Sequence, residues 1–313
     1  MDFVCPVCKG ALVSETDAYH CTPCAKSFPI VCGIPDFRVA PDPYIGMEAD
    51  REKGRHLEAV GRTRSFHQML DYYYSITPED PPDLAVGWTA HALAAPDIAA
   101  ATLGERRGDN LLDIGCATGG MLQAGAKNFT RVVGVDVAFR WLVVAQVGLR
   151  ESGVPALLVC ANAEALPFPA RSFDWITCID VMEHLRDPQQ AASEFHRVAP
   201  RLLCVANNRY SPLADPHVGM FGLGYLPRTW QPRYVAWRRK DLHRYNVRMP
   251  GARELKAVLR GAGYTRVSVS AARLFAPHRP GLAAPLAVYN KLVRVLNPVL
   301  RYISPKIEAI AEY

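Results

Sequence analysis

Nowhere does this 313-residue chain sustain the roughly 18 uninterrupted apolar residues that a membrane-spanning helix requires. Its opening, Met1-Asp2-Phe3-Val4-Cys5, lacks the basic start and long apolar run of a secretion signal, so a cytoplasmic location is expected. Nine cysteines, an odd number, do not make a fully paired disulfide framework. Carboxylates are scarce in one region: residues 209–313 hold 5 of the 30 Asp and Glu but 18 of the 36 Lys and Arg. The net charge of +6 therefore conceals an acidic majority and a basic C-terminal third. Such a basic third suits an anionic partner, although a solvated basic face accounts for the same charges.

The informative stretch is Leu111-Leu112-Asp113-Ile114-Gly115-Cys116-Ala117-Thr118-Gly119. An apolar run enters a turn of small residues and a helical pattern follows from Met121, which reads as a buried parallel strand, a tight loop and a helix. In open α/β sheets the crevice outside the strand ends binds cofactors. Val132-Val133-Gly134-Val135-Asp136 is a second strand with a carboxylate at its tip, where a ribose diol is held. The third glycine of a G-x-G-x-x-G dinucleotide fingerprint is missing. A third unit is Leu157 to Cys160 followed by Asn162-Ala163-Glu164-Ala165-Leu166-Pro167-Phe168. A fourth runs from Ser172 to Asp180 and continues into Val181-Met182-Glu183-His184-Leu185.

With these residues in view the chain resembles the class I S-adenosylmethionine-dependent methyltransferases, closely over about residues 105–210. The resemblance rests on a D-x-G-x-x-x-G loop (Asp113, Gly115, Gly119), the ribose acid Asp136, the adenine-side segment from Asn162 to Phe168, and an E-H-L segment after strand four. It implies S-adenosylmethionine as cofactor, held by Asp113, Gly115, Cys116, Ala117, Gly119, Asp136, Val137, Asn162, Ala163, Glu164 and Asp180. It also implies a doubly wound, mostly parallel, seven-stranded α/β sheet of Rossmann-like type.

The N-terminus carries two Cys-x-x-Cys knuckles, Cys5 with Cys8 and Cys21 with Cys24, twelve residues apart. That spacing places four thiolates around one zinc ion, with a small hairpin between them. About forty residues cannot bury enough apolar surface to fold alone, so the metal is structural and leaves no open position for catalysis. His20 reads as a surface neighbour and Cys32 as a packing residue. The run from Ser27 to Phe37 resembles the zinc ribbons fused to, or partnered with, methyltransferases. Residues 1–40 hold three basic and four acidic side chains, so a scaffold or substrate lid is expected rather than a grip on nucleic acid.

Domain limits follow: a ribbon over 1–40, a linker and N-terminal cap helix over 41–84, and a methyltransferase domain over 85–313. One helix is expected from about Glu48 to Ile76, where the tyrosines 72–74 either cover the cofactor cleft or pack in the core. A loop is expected from Pro78 to Asp83 and a helix over 89–103. The insertion 209–250 interleaves arginines with Trp230, Tyr234, Trp237 and Tyr245 and reads as a substrate cap. An extra amphipathic helix over 282–304 either packs over the substrate cleft, the favoured placement, or rests on a membrane surface.

Methyl transfer from a sulfonium needs the nucleophile aligned and its proton removed. His184 is the first candidate base and His217 the second. Asp180, Glu183 and His184 also resemble an E-x-x-E-H group that binds a divalent ion in some quinone-precursor and RNA-end methyltransferases, but no further ligand is evident in the sequence. The expected activity is O-methylation of a small or lipid-linked, anionic acceptor. An RNA-base methyltransferase and a non-catalytic binding partner with this fold are the alternatives, and the sequence does not specify the oligomeric state.

Overall fold

The computed structural model describes residues 2–78, 82–239 and 246–313. It divides into two compact units, Met1–Ile176 with Arg197–Ala199 and Phe275–Pro280, and Thr177–His196 with Pro200–Leu274 and Gly281–Tyr313.

The first unit opens with the ribbon. Strands β1 (Leu12–Ser14) and β2 (Ala18–Cys21) pair antiparallel, the small hairpin expected between the cysteine knuckles, and β3 (Ser27–Val31) and β4 (Ile34–Pro35) complete a four-stranded sheet. Three helices follow: α1 (Met47–Gly61), α2 (Phe66–Ser75) and α3 (Pro82–Leu103). The single helix expected over 48–76 is thus two. Ser65 accepts from the Gln68 amide while the Gln68 side chain accepts from the Ser65 amide, a capping box that starts a new helix. The expected loop at 78–83 is also shorter, because α3 already begins at Pro82, where a helix tolerates proline; residues 79–81 lie outside the described set.

Then come β5 (Gly108–Ile114), α4 (Gly120–Gly125), β6 (Phe129–Asp136), α5 (Phe139–Glu151) and β7 (Ala156–Cys160). β5, β6 and β7 pair in parallel, and Leu111, Leu112, Val133 and Val159 are fully buried, as continuous apolar strands demand. Helix α1 crosses α5 closely because Gly54 has no side chain: a Cβ there would lie 2.5 Å from the Phe139 ring.

The ribbon is docked on this unit. Asp36 bridges in parallel to Cys160, the Phe37 amide donates to the Cys160 carbonyl (2.8 Å), and the Val4 amide donates to Pro167 O (3.0 Å). Phe37 is wholly buried, its ring 4.9 Å from Phe3 and 5.2 Å from Tyr19. The edge of β7, an open template for strand pairing, is thereby covered.

Strand β8 (Trp175–Ile179) leads into the second unit, which continues with a 3₁₀ turn at Met182–His184, α6 (Pro188–Val198) and β9 (Arg201–Asn207). After the insertion with α7 (Gln231–Arg238) come α8 (Ala252–Gly261), β10 (Arg266–Ala271), α9 (Ala283–Ile303) and β11 (Lys306–Glu312). The seven-stranded sheet has the order β10-β11-β9-β8-β5-β6-β7, and β11 runs antiparallel to both β9 and β10. This is the Rossmann-like α/β sheet that the motifs imply, with one reversed strand.

The insertion carries its own small core, in which Val218, Leu223 and Val235 are buried with Met220, Leu226 and Tyr234 against them. Lys240, His243, Arg244 and Tyr245 of the expected substrate cap lie outside the described residues. The favoured placement of the amphipathic helix does not hold. Val288, Leu292, Val295 and Val299 of α9 stand in solvent, 45–76% exposed, and do not pack over a cleft.

Candidate functional sites

In the first unit β5 ends in a loop with left-handed backbone at Gly115 (φ 71°), Ala117 (φ 42°) and Gly119 (φ 82°). Glycine adopts this region at no steric cost. The Gly115 and Cys116 amides both donate to Val135 O (2.8 and 3.0 Å), which fastens the loop to the end of β6. Asp136 completes the closure: Oδ2 accepts from the Ala117 amide (2.9 Å) and Oδ1 from the Ala138 amide (2.8 Å). Burial pushes this carboxyl above its ordinary range, and the two amide bonds act the other way. A carboxylate offers about four acceptor positions, so two remain for the hydroxyls of a ribose. Asp113 is buried beneath the loop.

The residues expected on the adenine side have a second attachment. Asn162 Oδ1 accepts from the Val39 and Ala40 amides (2.9 and 3.1 Å), and Nδ2 donates to Ala40 O (3.2 Å). Its side chain thus clamps the segment leaving the ribbon. Ala163 beside it is buried and Glu164 half-buried.

Below the Asp136 tip lies a buried ion network that the sequence did not disclose. Arg38 donates from Nε and Nη2 to the two Asp36 oxygens (2.9 and 2.7 Å) and from Nη1 to Asp50 Oδ2 (2.7 Å) and Val137 O (3.1 Å). All three charged side chains are fully buried. Asp50 also accepts from the Phe139 amide (2.9 Å) at the start of α5, where partial positive charge favours a carboxylate. Arg140 joins through Asp50 Oδ1 (3.1 Å) and Tyr73 Oη (3.1 Å). Tyr73 is therefore a core residue, 2% exposed, its ring 4.1 Å from Trp141.

In the ribbon, Cys5 and Cys24 Sγ lie 3.5 Å apart and Cys8 and Cys21 Sγ 3.4 Å. All four sulfurs fall within 4.8 Å of one another and none is in a disulfide. Zinc–sulfur bonds near 2.3 Å in a tetrahedron put sulfurs about 3.8 Å apart. The donor set fits one zinc ion with no open position.

The second unit gathers the candidate bases. His184 and His217 rings meet edge to face at 5.0 Å. Asp215, 4% exposed, accepts from the His217 amide (2.8 Å) and faces its Nδ1 (3.2 Å). A carboxylate on one ring nitrogen fixes the tautomer and leaves the other nitrogen basic. Desolvation, and then the neighbouring His217, lower the His184 imidazole to about 4. Glu183 is fully buried: Oε1 accepts from Asn207 Nδ2 (2.6 Å), and Oε2 has no partner among the described residues. Burial and the Asp180 charge raise this carboxyl.

One ligand atom each from Glu183, His184 and His217 lies within 4.8 Å of the others. The further donor beside Glu183 and His184 that the sequence did not reveal is His217, brought 33 residues along the chain by the insertion. Asp180, placed with the cofactor by resemblance, lies in this unit in a left-handed conformation (φ 56°), its carboxylate bonded to Lys306 and to Asn207 Nδ2 (3.3 Å).

Beside Asp215 is a cavity of about 220 Å³ lined by Asn208, Leu213, Met220, Leu274 and Lys306 among others. Asn208 is 1% exposed and its Nδ2 has no partner among the described residues. The sequence shows Asp215 only as the acid before His217 and Asn208 only as an amide following β9, with no role attached to either.

Residues 112–201 match the family model described as a methyltransferase domain. Over 90 residues the chain is 40% identical to a ubiquinone biosynthesis O-methyltransferase of Leptothrix cholodnii, covering 28% of this chain and 38% of that protein. The protein of the same name from Chromobacterium violaceum is 38% identical over 84 residues, 26% of this chain and 36% of that one. The chain thus spans little more than a third of the length of these curated relatives. Among solved structures, an S-adenosylmethionine-dependent methyltransferase from Mesorhizobium loti aligns over 72% of this chain and 98% of its own, at 17% identity and a TM-score of 0.47. With the glycine loop closed by Asp136 on a Rossmann-like sheet, and the family match lying across it, the chain carries a class I S-adenosylmethionine-dependent methyltransferase domain.

Proposed function

We propose that the protein methylates a hydroxyl of a small or lipid-linked, anionic acceptor. The observation that carries this reading is the Asp136 carboxylate, bonded to the glycine loop through Ala117 and still able to accept two hydroxyls. S-adenosylmethionine, when bound, supplies an electrophilic methyl group on a sulfonium. Asp136 holds its ribose, the Gly115–Gly119 backbone lies against it, and Asp113, Ala163 and Glu164 complete its surroundings. His217, oriented by Asp215, takes the acceptor's proton through its free ring nitrogen. Asn208 Nδ2, at the wall of the 220 Å³ cavity and without a partner among the described residues, donates to an acceptor oxygen.

The two relatives named as O-methyltransferases support transfer to oxygen, and the basic C-terminal third supports an anionic acceptor. The four-cysteine site holds one structural zinc ion, and the docked ribbon then acts as scaffold. An RNA substrate fits less well, since the ribbon carries four acidic against three basic side chains. The test is incubation with methyl-labelled cofactor and separate lipid, aqueous and RNA extracts. Label is expected in a lipid or small-molecule fraction and lost with His217→Gln; label in RNA alone overturns the acceptor class.

A second reading of the histidine cluster has its own observation. Glu183 Oε2 is buried with no partner among the described residues, and one carboxylate oxygen of Glu183 lies within 4.8 Å of a nitrogen of His184 and of His217. Two imidazoles and one carboxylate suit a divalent transition metal. Metal analysis decides between the readings: one metal equivalent per chain, from the ribbon, leaves His217 a base. Two equivalents falling to one in Glu183→Gln make it a ligand.

A further inference from the structure

Helix α9 is turned inside out with respect to a water-soluble helix. The groups that tie it to the second unit are polar. Asn297 Oδ1 accepts from the Ala271 amide (2.8 Å), Asn290 exchanges bonds with the Leu274 amide and carbonyl (2.9 and 3.0 Å), and Tyr289 donates to Ala272 O (3.0 Å). Val293 is the helix's one buried residue. The opposite side is apolar and exposed: Val288 59%, Leu292 45%, Val295 76%, Val299 63% and Ile303 45%. Val288, Leu292 and Val295 recur at intervals of three and four residues and form one stripe; the helix kinks at Leu296 (φ −101°, ψ 15°), and Val299 and Ile303 stand exposed beyond the kink. A surface helix ordinarily buries such a stripe and wets its amides.

Charge narrows what covers it. The 21 residues of α9 contain no Asp or Glu, while Lys291 and Arg294 stand exposed along one flank of the stripe. A second copy of the helix would bring cations to face cations. An anionic bilayer supplies the apolar phase and the countercharge together, and basic residues flanking a valine and leucine face are the composition of a helix lying in the headgroup boundary. No helix among the described residues is long and apolar enough to cross a membrane, so the contact is peripheral.

We infer that α9 docks the protein on anionic lipid bilayers, its Val288–Val295 stripe and Val299 in the acyl boundary and Lys291 and Arg294 on the headgroups. This inference does not depend on the proposed methyl transfer, and its test uses no activity. The full chain is sedimented with vesicles of phosphatidylcholine alone and of phosphatidylcholine with phosphatidylglycerol. Binding is expected to the anionic vesicles, at least tenfold weaker to the neutral ones, and weaker still as salt rises.

Val295→Glu with Val299→Glu, both at exposed positions, is expected to weaken it more than tenfold without moving the thermal transition. Lys291→Ala and Arg294→Ala each weaken it about fivefold, following roughly 1 kcal/mol per basic residue near such a surface. If the glutamate pair lowers the transition, the alanine variants decide alone. Equal binding to both vesicle types, binding indifferent to every variant, or a dimer in sedimentation velocity that the glutamate pair dissolves would overturn the inference.

Discussion

The Arg38 guanidinium, carried on the segment that leaves the ribbon, donates to the carbonyl of Val137, the residue after Asp136, which is proposed to hold the ribose. The same guanidinium pairs with both Asp36 and Asp50, neither of which reaches solvent, and Arg51 and Arg140 supply the remaining countercharge. Removing one member of a buried charge network leaves the rest uncompensated. Arg38→Met is expected to cost on the order of 3–5 kcal/mol of unfolding free energy in a urea titration, and to weaken cofactor binding. Unchanged stability would mean that the network is not held together by Arg38.

Acid acts on the same network. Burial alone would raise the Asp36 carboxyl, but the hydrogen bonds and charges of Arg38 and Arg51 outweigh it and hold it below the ordinary range. A carboxyl depressed in the folded state stabilises fully above its unfolded pKa of about 3.9. That contribution is lost as pH falls through the lower folded value. Asp36→Asn is therefore expected to flatten the stability curve below about pH 4. A variant curve parallel to that of the parent in this range would contradict the assignment.

His184 titrates in a different window. Its imidazole, lowered to about 4 by desolvation and by His217, stays neutral where an unfolded histidine near 6.5 takes a proton. The unfolded state then binds more protons, so stability falls as pH drops from about 6.5 toward 4. Ring NMR signals of His184 are expected to remain those of the neutral form at pH 6. A midpoint near the ordinary histidine value would show that the ring is not desolvated.

Much of this was legible because buried parallel strands read as continuous apolar runs. Leu111-Leu112, Val132-Val133 and Leu157–Cys160 announced themselves, and so did the small residues of the loop between Asp113 and Gly119. The four cysteines were legible from spacing. What stayed hidden was long-range pairing. Asp36 and Arg38 look like ordinary surface charges until Asp50 and Val137 close around them, and the sequence contained the capping box of Ser65 and Gln68 without its weight being apparent. For α9 the periodicity showed that an apolar face exists, but not which way it points, since Asn290 and Asn297 choose that by bonding to the strand beside them. His217 reached Glu183 only through the folding of the insertion.

Close packing behind the loop gives a steric prediction. A Cβ on Gly120 would stand 2.6 Å from Ala95 Cβ and 2.9 Å from the Ala95 carbonyl carbon, and backbone cannot swing aside. Gly120→Ala is expected to destabilise the fold by roughly 1–3 kcal/mol, as overpacked cores do, measured by denaturant unfolding. A neutral or stabilising effect would show that α3 and α4 have room to separate.

The Asn208 amide, whose Nδ2 has no partner among the described residues, gives a test that separates acceptor from cofactor. Asn208→Leu is expected to raise the acceptor KM roughly 5- to 150-fold, on the order of 1–3 kcal/mol for a lost buried donor, while leaving cofactor affinity unchanged. An unaltered acceptor KM would remove Asn208 from the site.

The central claim is that Asp136 holds the sugar of S-adenosylmethionine against the glycine loop, and calorimetry tests it most directly. Titration of the parent protein with S-adenosylmethionine is expected to show one site per chain, and Asp136→Ala to weaken it at least tenfold with the fold intact by circular dichroism. No heat of binding in the parent, or equal affinity in the variant, would contradict the account.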